Sequence, residues 1–212
     1  LPLAELNMSF SGFPGFSDYL RAINMETGEV STQFREDDVW VKKDLFVSRK
    51  DDMIVLSIKA DAPVLSVAFS LDMREGGENY KEYVYVKENR KVTVNNNMLL
   101  YQSLDMEQLQ YGAVAKIEST DGAISSDAST VKVEKASEIL VKIKVFVKAQ
   151  SDTDKIVAEL EKESGSYAYY LDRHCELHTK LYNSAVLSLG ENNNLSNEEL
   201  LLEAYGGESP KE

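Results

Sequence analysis

Up to about residue 149 the apolar positions of the chain recur with a period of two. Leu65, Val67, Phe69 and Leu71 alternate with Ser66, Ala68 and Ser70, and Val141, Ile143, Val145 and Val147 alternate with Lys142, Lys144 and Phe146. Ile54, Leu56 and Ile58 repeat the pattern, as do Val39, Val41, Leu45 and Val47, interrupted by Lys43. Successive side chains of a strand point to opposite faces, so each run predicts a strand with one buried and one wetter face. Turn-forming residues punctuate the runs: Thr27-Gly28, Asp51-Asp52, Gly76-Gly77, Asn89-Arg90, Asn95-Asn96-Asn97 and Asp121-Gly122. Short strands at even spacing, with no helical pattern between them, predict an antiparallel β-sandwich over residues 1–149.

From Ser151 the period changes. "SDTDKIVAELEKES" begins with capping and acidic residues and then places Ile156, Val157 and Leu160 on one helical face. "SYAYYLDRHCELHTKLYNSAVLSLG" spaces Tyr167, Leu171, Cys175, His178, Tyr182 and Ala185 three or four apart, predicting one continuous helix that ends at Gly190. "LSNEELLLEAY" predicts a shorter helix with Ser196 as its N-cap and Glu199 three residues on. The expected organisation is therefore a sandwich over 1–149 and connecting helices over 150–212.

Charge and composition narrow the function classes. A formal charge of -13 and a pI near 4.7, with no Lys/Arg-rich run, repel a phosphate backbone and argue against nucleic acid. No stretch approaches the roughly 20 apolar residues of a membrane helix, and no signal-peptide pattern opens the chain. The single cysteine permits no internal disulfide, which suits a reducing compartment without requiring one. Neither end settles the compartment, cytoplasmic or secreted; the opening "LPLAELNMSF" and closing "AYGGESPKE" read as the edges of an excerpt.

"DRHCELHTK" holds both histidines and the cysteine. His174 and His178 share the i, i+4 spacing of a metal pair, but Glu176 stands one place late for the H-E-x-x-H order and no further His or Cys exists to complete a site. Cys175, on a helix without a cation-rich loop, reads as a small hydrophobe. These residues are expected to serve helix packing, and no metal or cofactor is expected. Asp37-Asp38 and Asp51-Asp52 fall at turns, where Asp bonds the local backbone. "EGGENY" lacks the lysine and following helix of a phosphate loop. Trp40, Tyr83, Tyr85 and Tyr101 are candidates for a sugar-stacking platform, with core or cross-strand packing as the other reading. No catalytic residue is identifiable.

Several segments follow a known order. Pro2-Leu3-Ala4-Glu5-Leu6 is similar to a "PLGDL" strand, and "YLRAINMETGEVSTQF" to a "Y-x-R-x-L-D-L-x-T-G" hairpin through Tyr19, Arg21, Thr27 and Gly28. "VWVKKDLFVSRKDDMIVLSIKA" keeps Trp40, Phe46, Ser48, Asp52, Ile54, Val55 and Ala60 of the next strand pair, with Lys43-Asp44 replacing Arg-Glu. "STVKVEKASEILVKIKVFVKA" is similar to closing sandwich strands. The helix from Ser166 matches "SYxxLLxRHxxxYxxLFxRVxLxLG" at Arg173, His174, Leu181, Tyr182, Leu187 and Gly190, with His178 in the place of a tyrosine. Together they resemble the N-terminal β-sandwich domain of family 95 glycoside hydrolases, the α-L-fucosidase family, which is related to the super-sandwich of family 65.

That resemblance implies a non-catalytic scaffold domain joined by helices to an (α/α)6 catalytic toroid in the parent chain, with an inverting mechanism in the whole enzyme and a fucosylated oligosaccharide as substrate. It implies a super-sandwich incomplete at its N-terminus, because glycine-rich opening strands precede this point in the family. None of the family's catalytic groups has a matching position here. The alternative is a stand-alone carbohydrate-binding or protein-interaction sandwich.

Overall fold

A computed structural model describes residues 3–12, 15–76, 79–147, 153–187 and 195–206. Its strands are β1 (Glu5–Phe10), β2 (Ser17–Asn24), β3 (Glu29–Glu36), β4 (Val39–Ser48), β5 (Met53–Ala60), β6 (Leu65–Asp72), β7 (Lys91–Asn95), β8 (Met98–Leu104), β9 (Gln110–Ser119), β10 (Ala123–Ser126), β11 (Val131–Ala136) and β12 (Glu138–Val147). Its helices are α1 (Lys81–Asn89), α2 (Thr153–Lys162), α3 (Tyr167–Tyr182) and α4 (Asn197–Tyr205). Every strand pairing is antiparallel. One sheet has four strands in the order β1-β6-β11-β10, and the other eight in the order β2-β3-β4-β5-β12-β9-β8-β7. The sandwich with C-terminal helices expected from the sequence is the fold.

The main core lies between the sheets. β6 supplies Leu65, Val67, Phe69 and Leu71, all buried, and the inner face of the large sheet supplies Val41, Leu56, Ile58, Ile117, Ile139 and Val141. A second core lies on the other face of the large sheet, where Phe46, Met53, Val55, Val114 and Phe146 pack under Leu160 of α2 and Tyr170 of α3. The central strands β5, β9 and β12 are therefore buried on both sides, which is why they read as nearly continuous apolar runs.

This second layer corrects the reading of β12. Lys142 and Phe146, expected on the wetter face, are 0% and 5% exposed, whereas Val145 and Val147 are 48% and 67% exposed. The helices cover the outer face, and the four-stranded sheet does not extend under the last residues of β12. The segment 81–89 also departs from expectation, forming a helix where none was predicted. Its valines and tyrosines favour a strand intrinsically, but Tyr83 and Val86, three apart, bury one helical face against β8, and the Ser103 hydroxyl donates to Val86 O at 2.9 Å.

The turns follow their residues. Asp52 and Asn96 take left-handed φ of 50° and 51° at the β4–β5 and β7–β8 turns. α4 starts at Ser196 with a complete capping box to Glu199, as its spacing predicted. α3 ends earlier than expected: Asn183 N–H bonds to Thr179 O, and Ser184 closes on Leu181 O through both amide and hydroxyl. Beyond this stop Val186 and Leu187 are exposed. The predicted helix end at Gly190, with Gly77 and Ser151, lies outside the described residues.

Candidate functional site at the helix–sheet junction

The segment holding both histidines docks α3 onto the hairpin turns of the large sheet. Tyr167, Tyr170, Leu171, His174 and His178, at i, i+3, i+4, i+7 and i+11, form the stripe that faces the sheet. His174 is 2% exposed and both its ring nitrogens are engaged. Arg49 N–H donates to Nδ1 at 3.1 Å, so the proton resides on Nε2, which donates to Thr27 O at 2.9 Å. His178 repeats the scheme: Arg49 Nε–H donates to Nδ1 at 3.3 Å, and Nε2 donates to Met25 O at 3.1 Å. The two rings stack with centroids 4.9 Å apart.

Each histidine thus ties the β4–β5 turn to the β2–β3 turn. Burial pushes the His174 pKa down; the bond to Thr27 opposes this, and His178 and Arg49 add to it. Gly28 completes the fit. Its φ is +65°, and a Cβ there would stand 3.1 Å from the His178 ring. Next to the histidines, Arg173 donates to Asp51 Oδ1 through Nε at 3.0 Å and Nη2 at 2.7 Å, while Ser48 donates to Asp51 Oδ2. The Asp51-Asp52 pair is a turn and an anchor for α3. Burial, then Asp172, Glu29 and Glu26, push the Cys175 thiol pKa up, away from the thiolate a nucleophile needs.

A second anchor holds the α2–α3 corner. Lys116 on β9 and Lys142 on β12 lie directly opposite in register on the outer face, where two like charges would repel. Glu118 bridges them, with Oε1 2.8 Å from Lys116 Nζ and Oε2 2.6 Å from Lys142 Nζ. Both ammonium groups also donate to carbonyls at the end of α2: Lys116 to Glu161 O and Glu163 O at 3.0 Å each, and Lys142 to Glu163 O at 2.8 Å. Cations at a helix C-terminus satisfy its unpaired carbonyls and its dipole. Tyr170 donates to the Glu163 carboxylate at 2.7 Å and accepts from Gly165 N–H at 3.0 Å. Sequence reading missed this cluster because a lysine alternating with apolar residues looks solvated; the aromatic Phe146 on the same face as Lys142 was the available signal.

The predicted aromatic platform does not assemble. Tyr101, on β8, is 0% exposed, and Tyr83, on α1, is 4% exposed, so both rings are packing residues. Tyr85 is half-buried on α1 and bonds through its hydroxyl to Gln108. Trp40, 39% exposed, lies on β4, which β5, β12 and β9 separate from β8. Among the described residues no three His, Cys, Asp or Glu side chains converge as metal ligands.

This junction fixes a helix pair to the sandwich and leaves apolar side chains uncovered toward the end of α3 and on α4. Leu177 and Leu181, one turn apart on α3, and Tyr182 are exposed, as are Leu201, Leu202 and Tyr205 of α4. The arrangement can transmit position.

Residues 1–152 match the family model described as glycosyl hydrolase family 65, N-terminal domain. Among solved structures, the fold is similar to a protein named as a kojibiose phosphorylase, from the human microbiome, with a TM-score of 0.55 and 12% identity. The match covers 84% of this chain and 27% of that protein, so the chain spans about a quarter of its length. No curated protein matches the chain in sequence.

Proposed function

Because the chain belongs to the family of glycosyl hydrolase family 65 N-terminal domains, we propose that it is the non-catalytic sandwich module of a longer glycoside hydrolase or phosphorylase, and that α3 and α4 present its docking face to an (α/α)6 catalytic domain of the same polypeptide. The observation that carries this reading is that the apolar stripe of α3 runs on past its contacts with the sheet. The stripe is locked to the sheet through His174 and His178, with Arg173 beside it, while Leu177 and Leu181, next to these residues and toward the end of α3, are exposed with no cover among the described residues. Exposed apolar side chains on a rigid helix are what a domain interface buries.

The substrate is expected to be an oligosaccharide. An α-L-fucoside is the narrower reading, supported by the sequence resemblance to family 95 alone; an α-linked glucosyl disaccharide cleaved by phosphate is the reading supported by the likeness to a kojibiose phosphorylase. The test of the docking face is Leu177→Asp with Leu181→Asp in the full polypeptide. We expect turnover to fall at least about tenfold, with sandwich unfolding unchanged in residues 1–212 carrying the same changes. Wild-type turnover in the doubly substituted full polypeptide would refute it.

A further inference from the structure

A polar cleft of about 520 Å³ lies where the four-stranded sheet meets α1. Ser70 and Asp72 alternate with the core residues Phe69 and Leu71 of β6, so they face away from the main core. The register of β1 on β6 sets Asn7 opposite Ser70 and Glu5 opposite Asp72, and all four residues line the cleft. From the other side α1 brings Tyr83 and Lys87, one turn apart, and Arg90 follows its last residue. The volume is within the range of about 300–1,000 Å³ of small-molecule sites.

The lining selects a ligand class. Three carboxylates, Glu5, Asp72 and Glu75, face three cations, Arg74, Lys87 and Arg90, so the cleft is balanced in a chain whose net charge is -13. A lipid gains nothing from such walls, and an anion meets as many carboxylates as cations. A hydroxyl both donates and accepts, so a neutral polyol suits interleaved acids and bases. One pair is already held in place. Arg90 Nε lies 2.9 Å from Asp72 Oδ1, the same oxygen accepts from Met73 N–H at 2.7 Å, and Arg90 Nη1 donates to Lys87 O at 3.1 Å. Among the described residues Asp72 Oδ2 and Arg90 Nη2 make no hydrogen bond, which leaves one acceptor and one donor for a ligand. Tyr83 supplies a further polar atom. It is 4% exposed, and its hydroxyl has no hydrogen-bond partner among the described residues. A buried hydroxyl left unpaired costs free energy and is uncommon in folded proteins.

We propose that this cleft is a binding site for a neutral saccharide, with Asp72 and Arg90 bracketing adjacent hydroxyls and the Tyr83 hydroxyl engaging a third. The Asp72–Arg90 pair gives orientation, because an acceptor and a donor fixed together match two neighbouring hydroxyls and mismatch a single charged group. Tyr83 gives selectivity for a ligand that reaches the buried end of the contact, where a group unable to hydrogen-bond leaves its hydroxyl unpaired. The site uses none of the four aromatic residues expected as a stacking platform except Tyr83, and uses it through its polar end.

Titration of isotope-labelled residues 1–212 with kojibiose, maltotriose and fucosyllactose, followed through amide chemical shifts, tests it. The expected result is a saturable shift of the Asp72, Met73 and Lys87 amides with at least one of the three, at a Kd of about 1 mM. Tyr83→Phe keeps the ring and removes the hydroxyl. It should raise that Kd about tenfold without lowering Tm, because the hydroxyl has no partner among the described residues. No saturable shift with any of the three up to about 50 mM would overturn the proposal, as would an unchanged Kd in Tyr83→Phe. A raised Kd accompanied by a lower Tm would assign the hydroxyl to the fold and overturn it too. A shift of the same amides by inorganic phosphate at lower concentration than by any saccharide would overturn it in favour of an anion site. The assay uses residues 1–212 alone, so its outcome is independent of the module reading.

Discussion

At the scale of the residue, His174 acts through a neutral ring. His174 accepts one hydrogen bond and donates another, and a second proton would set Nδ1–H against Arg49 N–H. Its folded pKa lies below the ordinary value, so the unfolded state binds the proton more readily. Stability is therefore full above the unfolded pKa of about 6.5 and declines as pH falls below it. We expect the melting temperature of residues 1–212 to drop on acidification from pH about 7.5 to about 5.5, with a smaller drop in His174→Gln. Identical pH profiles for the two proteins would contradict this. Lys142→Met removes one arm of the buried lysine pair, taking one of two lysine donors from Glu163 O and one partner from Glu118. Chemical denaturation should show a loss of about 3 kcal/mol, and a change under about 0.5 kcal/mol would mean that Lys116 alone suffices.

At the scale of the element, the close fit at the start of α3 is testable at Gly165. A Cβ there would stand 2.4 Å from Tyr169 Cδ1 and 2.7 Å from Tyr170 Cζ. Gly165→Ala should cost about 2 kcal/mol by displacing the Tyr170 hydroxyl from Glu163 and Gly165; near-wild-type stability would show that α3 shifts without loss. Strands with one covered face were legible in the sequence, as β6 shows with its clean alternation. β12 was not, because alternation assumes one core, and here the helices that follow it, α2 and α3, build a second. α1 was misread for a related reason: its residues favour a strand, and burial of Tyr83 and Val86 overrides that preference. The stripe read from the sequence held His178 but not His174, and the partners of His174, Thr27 and Arg49, lie on turns more than a hundred residues away, which no local pattern records.

At the scale of the whole molecule, two surfaces remain open and they differ in kind. One, a trough beside β1, is concave, with Arg21 and Lys43 among apolar lining residues, whereas the end of α3 exposes Leu177 and Leu181 beside its docked stripe. Both fit a module built into a larger chain. Trp40, the one candidate aromatic with substantial exposure, stands apart from the other three, so Trp40→Ala in the full polypeptide should leave KM for oligosaccharides within about twofold of wild type. A KM raised tenfold with kcat unchanged would instead give the sandwich a substrate contact.

The most direct test of a non-catalytic module is turnover itself. The full polypeptide and residues 1–212 would be assayed side by side on aryl α-L-fucoside, on fucosylated oligosaccharide, and on kojibiose with phosphate. The account predicts turnover of at least one substrate by the full polypeptide and none by residues 1–212. Turnover by residues 1–212 at a rate near that of the full polypeptide would contradict it and place a catalytic centre within the sandwich or its helices.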